Sequence, residues 1–358
     1  MSEHSKIQWT DDTHNFWQGC TKVSPGCANC YAEARDKRFA DGIHWGPGAP
    51  RVRSKDFDAP LRWNEKPWVC DECGECFSVE IFKPSVEFHT TKNENGCIVA
   101  CRNTTFHRRR VFSLSLGDWL DEAVPIEWLA DMLDVIRRCP NLDFLLLTKR
   151  PENWRRRLLS IKTKNEELAA WLLGWFFTGG KTPAGDIISG APPNVWIGCT
   201  VENQEYADKR IPELLKIPAV CRFISYEPAL GPVDFFKATG HGWYRHQKSA
   251  IERKLDCIIV GGESGPKARP FNIEWARATI AQCKAAGVPC FVKQLGCVPM
   301  MLESDWRDLL QTPLLSASNR DKVPSGYVSL KLKDIKGGDI TEWPADLRVR
   351  QFPNPNTR

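Results

Sequence analysis

The sequence predicts an α/β fold, a partial (β/α)6-7 TIM-like barrel with a small Cys-rich metal-binding insertion. Three observations predict it. Beyond residue 110, short β-branched and aromatic runs alternate with longer stretches of helical period, as in repeated β/α units around a parallel sheet. The carboxyl ends of those runs are polar almost throughout, and parallel β/α folds build their sites there. Two groups of closely spaced cysteines interrupt an otherwise ordinary globular composition.

In chain order, a strand is expected near 15–18, then a cysteine-bearing loop and a helical stretch at 31–40. Residues 60–107 carry few strand or helix signals and read as a metal-stapled insertion. Strands follow at 111–115 (VFSLS), 143–148 (DFLLLT), 195–200 (VWIGCT), 222–226 (RFISY), 257–261 (CIIVG) and 290–293 (CFVK). Apolar residues three and four apart mark crossover helices at 125–138, 152–175, 204–217 and 273–286. With the N-terminal strand the total reaches about seven, short of the eight of a closed barrel. Residues 228–255 read as a long loop. The expected organisation is 1–59 for the cluster loop and first β/α unit, 60–107 for the insertion, 108–297 for the remaining units, and 298–358 for a C-terminal extension packing on the barrel.

A chain of 358 residues with 42% hydrophobic content can bury a large core. The net charge of +5 is slight for a DNA-binding domain, so the basic runs at 107–110 and 155–157 read as solvated faces. No apolar run approaches the ~18 residues of a membrane span, and the N-terminus has no basic start followed by an apolar stretch. A cytoplasmic protein without membrane contact is expected. Fifteen cysteines, an odd number, exclude complete intrachain pairing, and in a reducing compartment clustered thiols point to metal.

Cys20, Cys27 and Cys30 form a C-x6-C-x2-C group in a Gly/Pro-containing loop. Three thiolates at a barrel mouth suit an iron-sulfur cluster with one iron open to a ligand, and a closed zinc site with His14 as fourth donor is the alternative. In the insertion, Cys73, Cys76, Cys97 and Cys101 form a zinc-ribbon-like set, with Cys70 competing for one position. A second cluster is the other reading, since C-x2-C-x2-C opens like a ferredoxin run but lacks the next cysteine. Cys199, at a polar strand end, could serve as hydrogen donor or nucleophile, or as a small core hydrophobe. The polar strand ends, from Asp118 through Lys149, Thr200, Glu202 and Glu227 to Glu263 and Lys293, predict a shared cavity.

The motifs IQWTDDTHNFWQGCTKVSPGCANCYAE, LTKRP, GCTVEN, SYEPALGPVD, VGGESGPKARP, FVKQLG and KGGDITEWPADLRVRQFP together resemble the phage-associated three-Cys-motif family, known from phage and mobile-element genomes. That family is similar to radical S-adenosylmethionine enzymes, which carry a partial β/α barrel and a cluster loop before the first helix. The resemblance implies a 4Fe-4S cluster on Cys20, Cys27 and Cys30, whose open iron binds the amino and carboxylate groups of S-adenosyl-L-methionine. It further implies one-electron cleavage to a 5'-deoxyadenosyl radical, an electron donor protein, and a substrate that could be a nucleotide or nucleic acid. The polar strand ends, Lys149, Thr200, Glu202, Glu227, Glu263 and Lys293, would hold the adenosyl group and substrate. The superfamily loop is C-x3-C-x2-C with an aromatic before the last cysteine, where this chain has a gap of six and Asn29. The superfamily's GGE follows an early strand, so its role falls here to Ser113, Ser115 and Asp118 rather than to Gly261-Gly262-Glu263. Two other classes compete: a zinc-binding nucleic-acid-binding protein without catalysis, and a metal-assisted hydrolase using Asp118, Glu227 and Glu263.

Overall fold

Seven strands pair in the order in which they occur, every neighbour parallel: β1 (Asp12–His14), β2 (Arg110–Ser113), β3 (Asp143–Thr148), β4 (Val195–Thr200), β5 (Cys221–Tyr226), β6 (Cys257–Gly261) and β7 (Cys290–Gln294). This computed structural model describes residues 5–78, 89–92, 98–101, 105–177, 190–240, 255–305, 316–318 and 323–353. Parallel neighbours need a crossover at each step, and crossovers of one hand curl the sheet into a half-barrel. Helix α1 (Tyr31–Ala40) follows the cysteine loop. The crossovers beyond β2 carry α2 (Ile126–Arg137), α3 (Trp154–Leu159), α4 (Glu166–Phe176), α5 (Gln204–Leu215) and α6 (Ile273–Ala286).

Side-chain alternation along the strands separates two cores. On the helix side, Val111, Phe144, Ile197, Ile224 and Val260 pack with Met132 and Ile136 of α2, Ile211 of α5 and Ala276 of α6. Inside the curl, Trp9, Phe112, Leu145, Trp196, Phe223, Ile259 and Phe291 form a second, aromatic-rich plug. Trp9 and Phe112 rings lie 4.5 Å apart there. Trp9 and Phe112 of this plug also line a cavity at the carboxyl ends of the strands.

Gly198 of β4 faces this plug, and a Cβ there would stand 2.4 Å from the Phe223 ring on the paired strand. Gly198→Ala should therefore cost about 1–3 kcal/mol through overpacking. Urea denaturation measures it, and a variant as stable as the parent would contradict the packing described.

Three elements depart from the sequence expectation. The first strand is Asp12–His14 rather than 15–18, and Trp17–Gln18 instead pairs antiparallel with Val52–Arg53. Polar residues hide it: Asp12, Thr13 and His14 are all buried, and Asp12 forms a two-pronged ion pair with buried Arg109. The helix expected over 152–175 is broken into α3 and α4, because 160–165 (SIKTKN) offers no apolar seam and Asn165 caps α4 by accepting from Leu168 N–H at 3.1 Å. The basic runs are solvated faces only in part: Arg155 and Arg156 are exposed, but other members are engaged. Arg109 is spent on Asp12, His107 lies between Asp11 and Asp71, and buried Arg157 donates to the Val124 carbonyl at 2.8 Å.

The tail covers the β7 edge: Val292 N–H donates to the Val349 carbonyl at 2.8 Å and Gln351 N–H to the Cys290 carbonyl at 2.9 Å. Within 60–107, strands Trp68–Cys70, Cys76–Phe77 and Phe106–Arg108 form a small antiparallel sheet, and His89–Lys92 pairs with Ile98–Cys101. Among the described residues no helix is long and apolar enough to cross a membrane.

Candidate metal centre

Cys20, Cys27 and Cys30, on the loop between β1 and α1, all line one cavity of about 520 Å³ at the carboxyl ends of the strands. Each is fixed by a different strand end. Arg150, just past β3 and 6% exposed, aims both terminal guanidinium nitrogens at Cys20 Sγ, each at 3.7 Å. It is held in that pose by Asp118 Oδ2 at 2.9 Å and the Thr21 carbonyl at 2.7 Å. Asp118 is itself fixed by the Thr148 hydroxyl and the Lys149 and Leu120 N–H groups.

The second latch is Glu202, past β4 and fully buried. Ser24, 3.6 Å from Cys27 Sγ, donates to Glu202 Oε1 at 2.7 Å, and Arg210 neutralises the carboxylate at 3.0 Å. Gly26 lies flat against it, since a Cβ would stand 2.5 Å from Glu202 Cγ. The third latch is Glu263, past β6, which accepts from Asn29 Nδ2 at 3.0 Å beside Cys30. Arg269 grips Glu263 at 2.8 Å and reaches the Pro25 carbonyl at 3.0 Å. Burial works to raise the Glu263 carboxyl, but the Arg269 and Asn29 donors outweigh it and hold it below its ordinary range.

Burial pushes the Cys20 thiol up to about 12, with Asp118 adding to the rise and Arg150 opposing it. Burial raises Cys30 as well. Any metal bound by these thiols would therefore have to displace their protons.

Of the residues expected at the site, Ser115, Asp118, Lys149, Thr200, Glu227 and Lys293 line the same cavity as the three cysteines. Lys293 Nζ lies 2.9 Å from Glu227 Oε1, and a Cβ at the intervening Gly261 would come within 2.8 Å of that oxygen. Four others stand elsewhere. Glu202 and Glu263 sit behind the loop as latches. Ser113 is fully buried with its hydroxyl unpartnered. Cys199 packs in the helix-side core, facing away from the cavity that its neighbour Thr200 lines, and burial pushes its thiol up to about 12. The carboxylates Asp118, Glu227 and Glu263 each have their own cation, Arg150, Lys293 and Arg269 respectively. Among the described residues, no three His, Cys, Asp or Glu side chains are grouped to hold a single metal ion.

His14 does not join the thiols. Its ring packs edge-on to Phe16 and Trp63, and Nε2 meets the Phe57 carbonyl at 3.2 Å. Burial lowers it to about 4. The unfolded chain therefore takes up a proton near pH 6.5 that the folded chain refuses until about pH 4. Stability is full above that window and falls as pH drops through it, by on the order of 3 kcal/mol. Unfolding midpoints at about pH 7 and 5 should diverge less in His14→Gln than in the parent; equal divergence would exclude His14 as the titrating group.

Sequence reasoning passed over the latching partners Ser24 and Asn29 and the wall residue Ser225. It also passed over a loop of the tail, from which Asp334, Lys336 and Gly338 line the cavity. The Gly-Gly pair at 337–338 was a usable signal, since Gly337 has φ +63° and a Cβ there would stand 2.7 Å from the Gly296 carbonyl. In the insertion, Cys70, Cys73 and Cys76 surround a turn closed by Gly74 N–H to the Cys70 carbonyl at 3.0 Å. Cys97 lies outside the described residues and Cys101 ends the strand Ile98–Cys101, so the four-cysteine set is described only in part.

One family, described as "Protein of unknown function (DUF5131)", matches residues 4–323. No curated protein and no solved structure matches the chain.

Proposed function

We propose that this chain, which belongs to the DUF5131 family, is a radical S-adenosylmethionine-type iron-sulfur enzyme of phage or mobile-element origin. The observation that carries the reading is the convergence of Cys20, Cys27 and Cys30 on one cavity that the strand ends also line. Three thiols spread around a cavity suit a 4Fe-4S cluster better than one zinc ion, whose sulfur donors crowd to about 2.3 Å from a common centre. Once bound, such a cluster supplies one electron to the sulfonium of S-adenosylmethionine and so initiates hydrogen abstraction from a substrate.

The residues around it divide the remaining work. Arg150, Glu202 and Glu263 hold the loop, while Lys149, Thr200, Glu227 and Lys293 offer charge and hydrogen bonds to the adenosyl group and substrate. Trp9 and Phe112 give the cavity an apolar floor. At about 520 Å³ it falls within the ~300–1,000 Å³ common for ligand pockets. A nucleotide or nucleic acid is the substrate class we favour, with a separate protein as electron donor. In the insertion, Cys73, Cys76, Cys97 and Cys101, with Cys70 competing, would hold a structural zinc. Reconstitution with iron and sulfide, then dithionite and S-adenosylmethionine, should yield 5'-deoxyadenosine. Protein that takes up zinc at the first cysteine group and no iron would favour the non-catalytic alternative and sink this one.

A further inference from the structure

Arg150 stands out among the buried cations because its target is a thiol. Both terminal nitrogens lie 3.7 Å from Cys20 Sγ, and the residue is 6% exposed. Its direction is fixed by Asp118 at 2.9 Å and by the Thr21 carbonyl at 2.7 Å. A second buried arginine, Arg51, clamps the same turn from the other side, donating to Thr21 Oγ1 at 2.9 Å and pairing with Asp121 at 2.8 Å. The Cys20 sulfur thus meets a guanidinium that is held by two other partners and largely buried.

We propose that Arg150 is a positioning residue that sets the reduction potential of the cluster ligated by Cys20. The inference rests on the reading above. On reduction the cluster gains one electron from an external reductant, and no bond at Arg150 forms or breaks. The reduced cluster carries one more negative charge. A fixed guanidinium donating to a ligand sulfur stabilises it relative to the oxidised form, and hydrogen bonds to sulfur and local charge are the levers that set such potentials. Asp118 acts in the opposite direction, its carboxylate lying behind the guanidinium. Loss of Arg150 leaves Asp118 with three donors, Thr148 Oγ1, Lys149 N and Leu120 N, so the variant keeps that carboxylate satisfied.

The test is potentiometric titration, followed by electron paramagnetic resonance, of reconstituted full-length protein without S-adenosylmethionine. Arg150→Gln should lower the reduced-to-oxidised ratio at a given potential at least tenfold, about 59 mV for a one-electron couple. Arg150→Lys, which keeps the charge and loses the fork, should fall between Gln and parent. Asp118→Asn should move the ratio the other way. Opposite signs for the two positions are what a merely structural role would not produce. Equal potentials in all loaded proteins, or shifts of one sign, overturn the inference. So does loss of loading in both Arg150 variants with native circular dichroism, which would make Arg150 a holder of Cys20 only. A parent protein that takes up no iron and sulfide overturns the functional reading instead.

Discussion

Replacing Cys30 with alanine should strip most of the iron and sulfide from reconstituted protein and abolish 5'-deoxyadenosine formation. With one of three thiolates gone, the loss should exceed the ~10–100-fold that removal of a mere supporting residue costs a metal site. The fold should survive, because Cys30 is the N-cap position of α1 and its side chain makes no capping hydrogen bond there. Cys139→Ala is the informative control. That residue is fully buried in the helix-side core, so its loss should lower thermal stability and leave iron content unchanged. Metal analysis and product assay together decide: Cys30→Ala with parental iron and product would refute the ligand assignment, whatever the stability data.

The second large effect is expected at Glu202. Its carboxylate is fully buried against Arg210, itself 2% exposed, so Glu202→Ala leaves a buried cation without its counter-ion. A cost of about 3–5 kcal/mol follows. The same change releases Ser24 and lets the Cys27 segment drift. Ser24→Ala separates the two consequences: it removes the latch, with the Ser24 contact to Cys27 Sγ, but leaves the Glu202–Arg210 pair, costs about 0.5–1.5 kcal/mol, and should still hasten iron loss to a chelator. If Ser24→Ala retains iron as the parent does, Glu202 is a stability residue alone.

The six strands from β2 to β7 were legible because parallel strands buried on both faces read as continuous apolar runs, DFLLLT and VWIGCT among them. β1 was not legible, since its burial depends on an ion pair between Asp12 and Arg109, residues 97 positions apart. The three cysteines were legible from spacing alone. Their fastening was not, for the partners are remote: Ser24 and Glu202 are 178 positions apart, Asn29 and Glu263 234 apart. Polar strand ends announced a site, yet no local pattern distinguishes a carboxylate that faces a cavity, as Glu227 does, from one that grips a loop behind it, as Glu202 and Glu263 do. Cys199 shows the same limit, because one step along a strand decides between cavity and core.

The latches also impose an order on how the protein can mature. The loop bearing Cys20, Cys27 and Cys30 leaves the ribosome early, but its fasteners arrive only with Arg150, Glu202 and Glu263, and the last cavity wall only with residues 334–338. Until then a nascent chain displays three unfastened thiols in a Gly- and Pro-containing loop. The fastened form of this loop therefore needs residues as far along the chain as Glu263, whereas the turn holding Cys70, Cys73 and Cys76 is closed locally by Gly74 N–H on the Cys70 carbonyl.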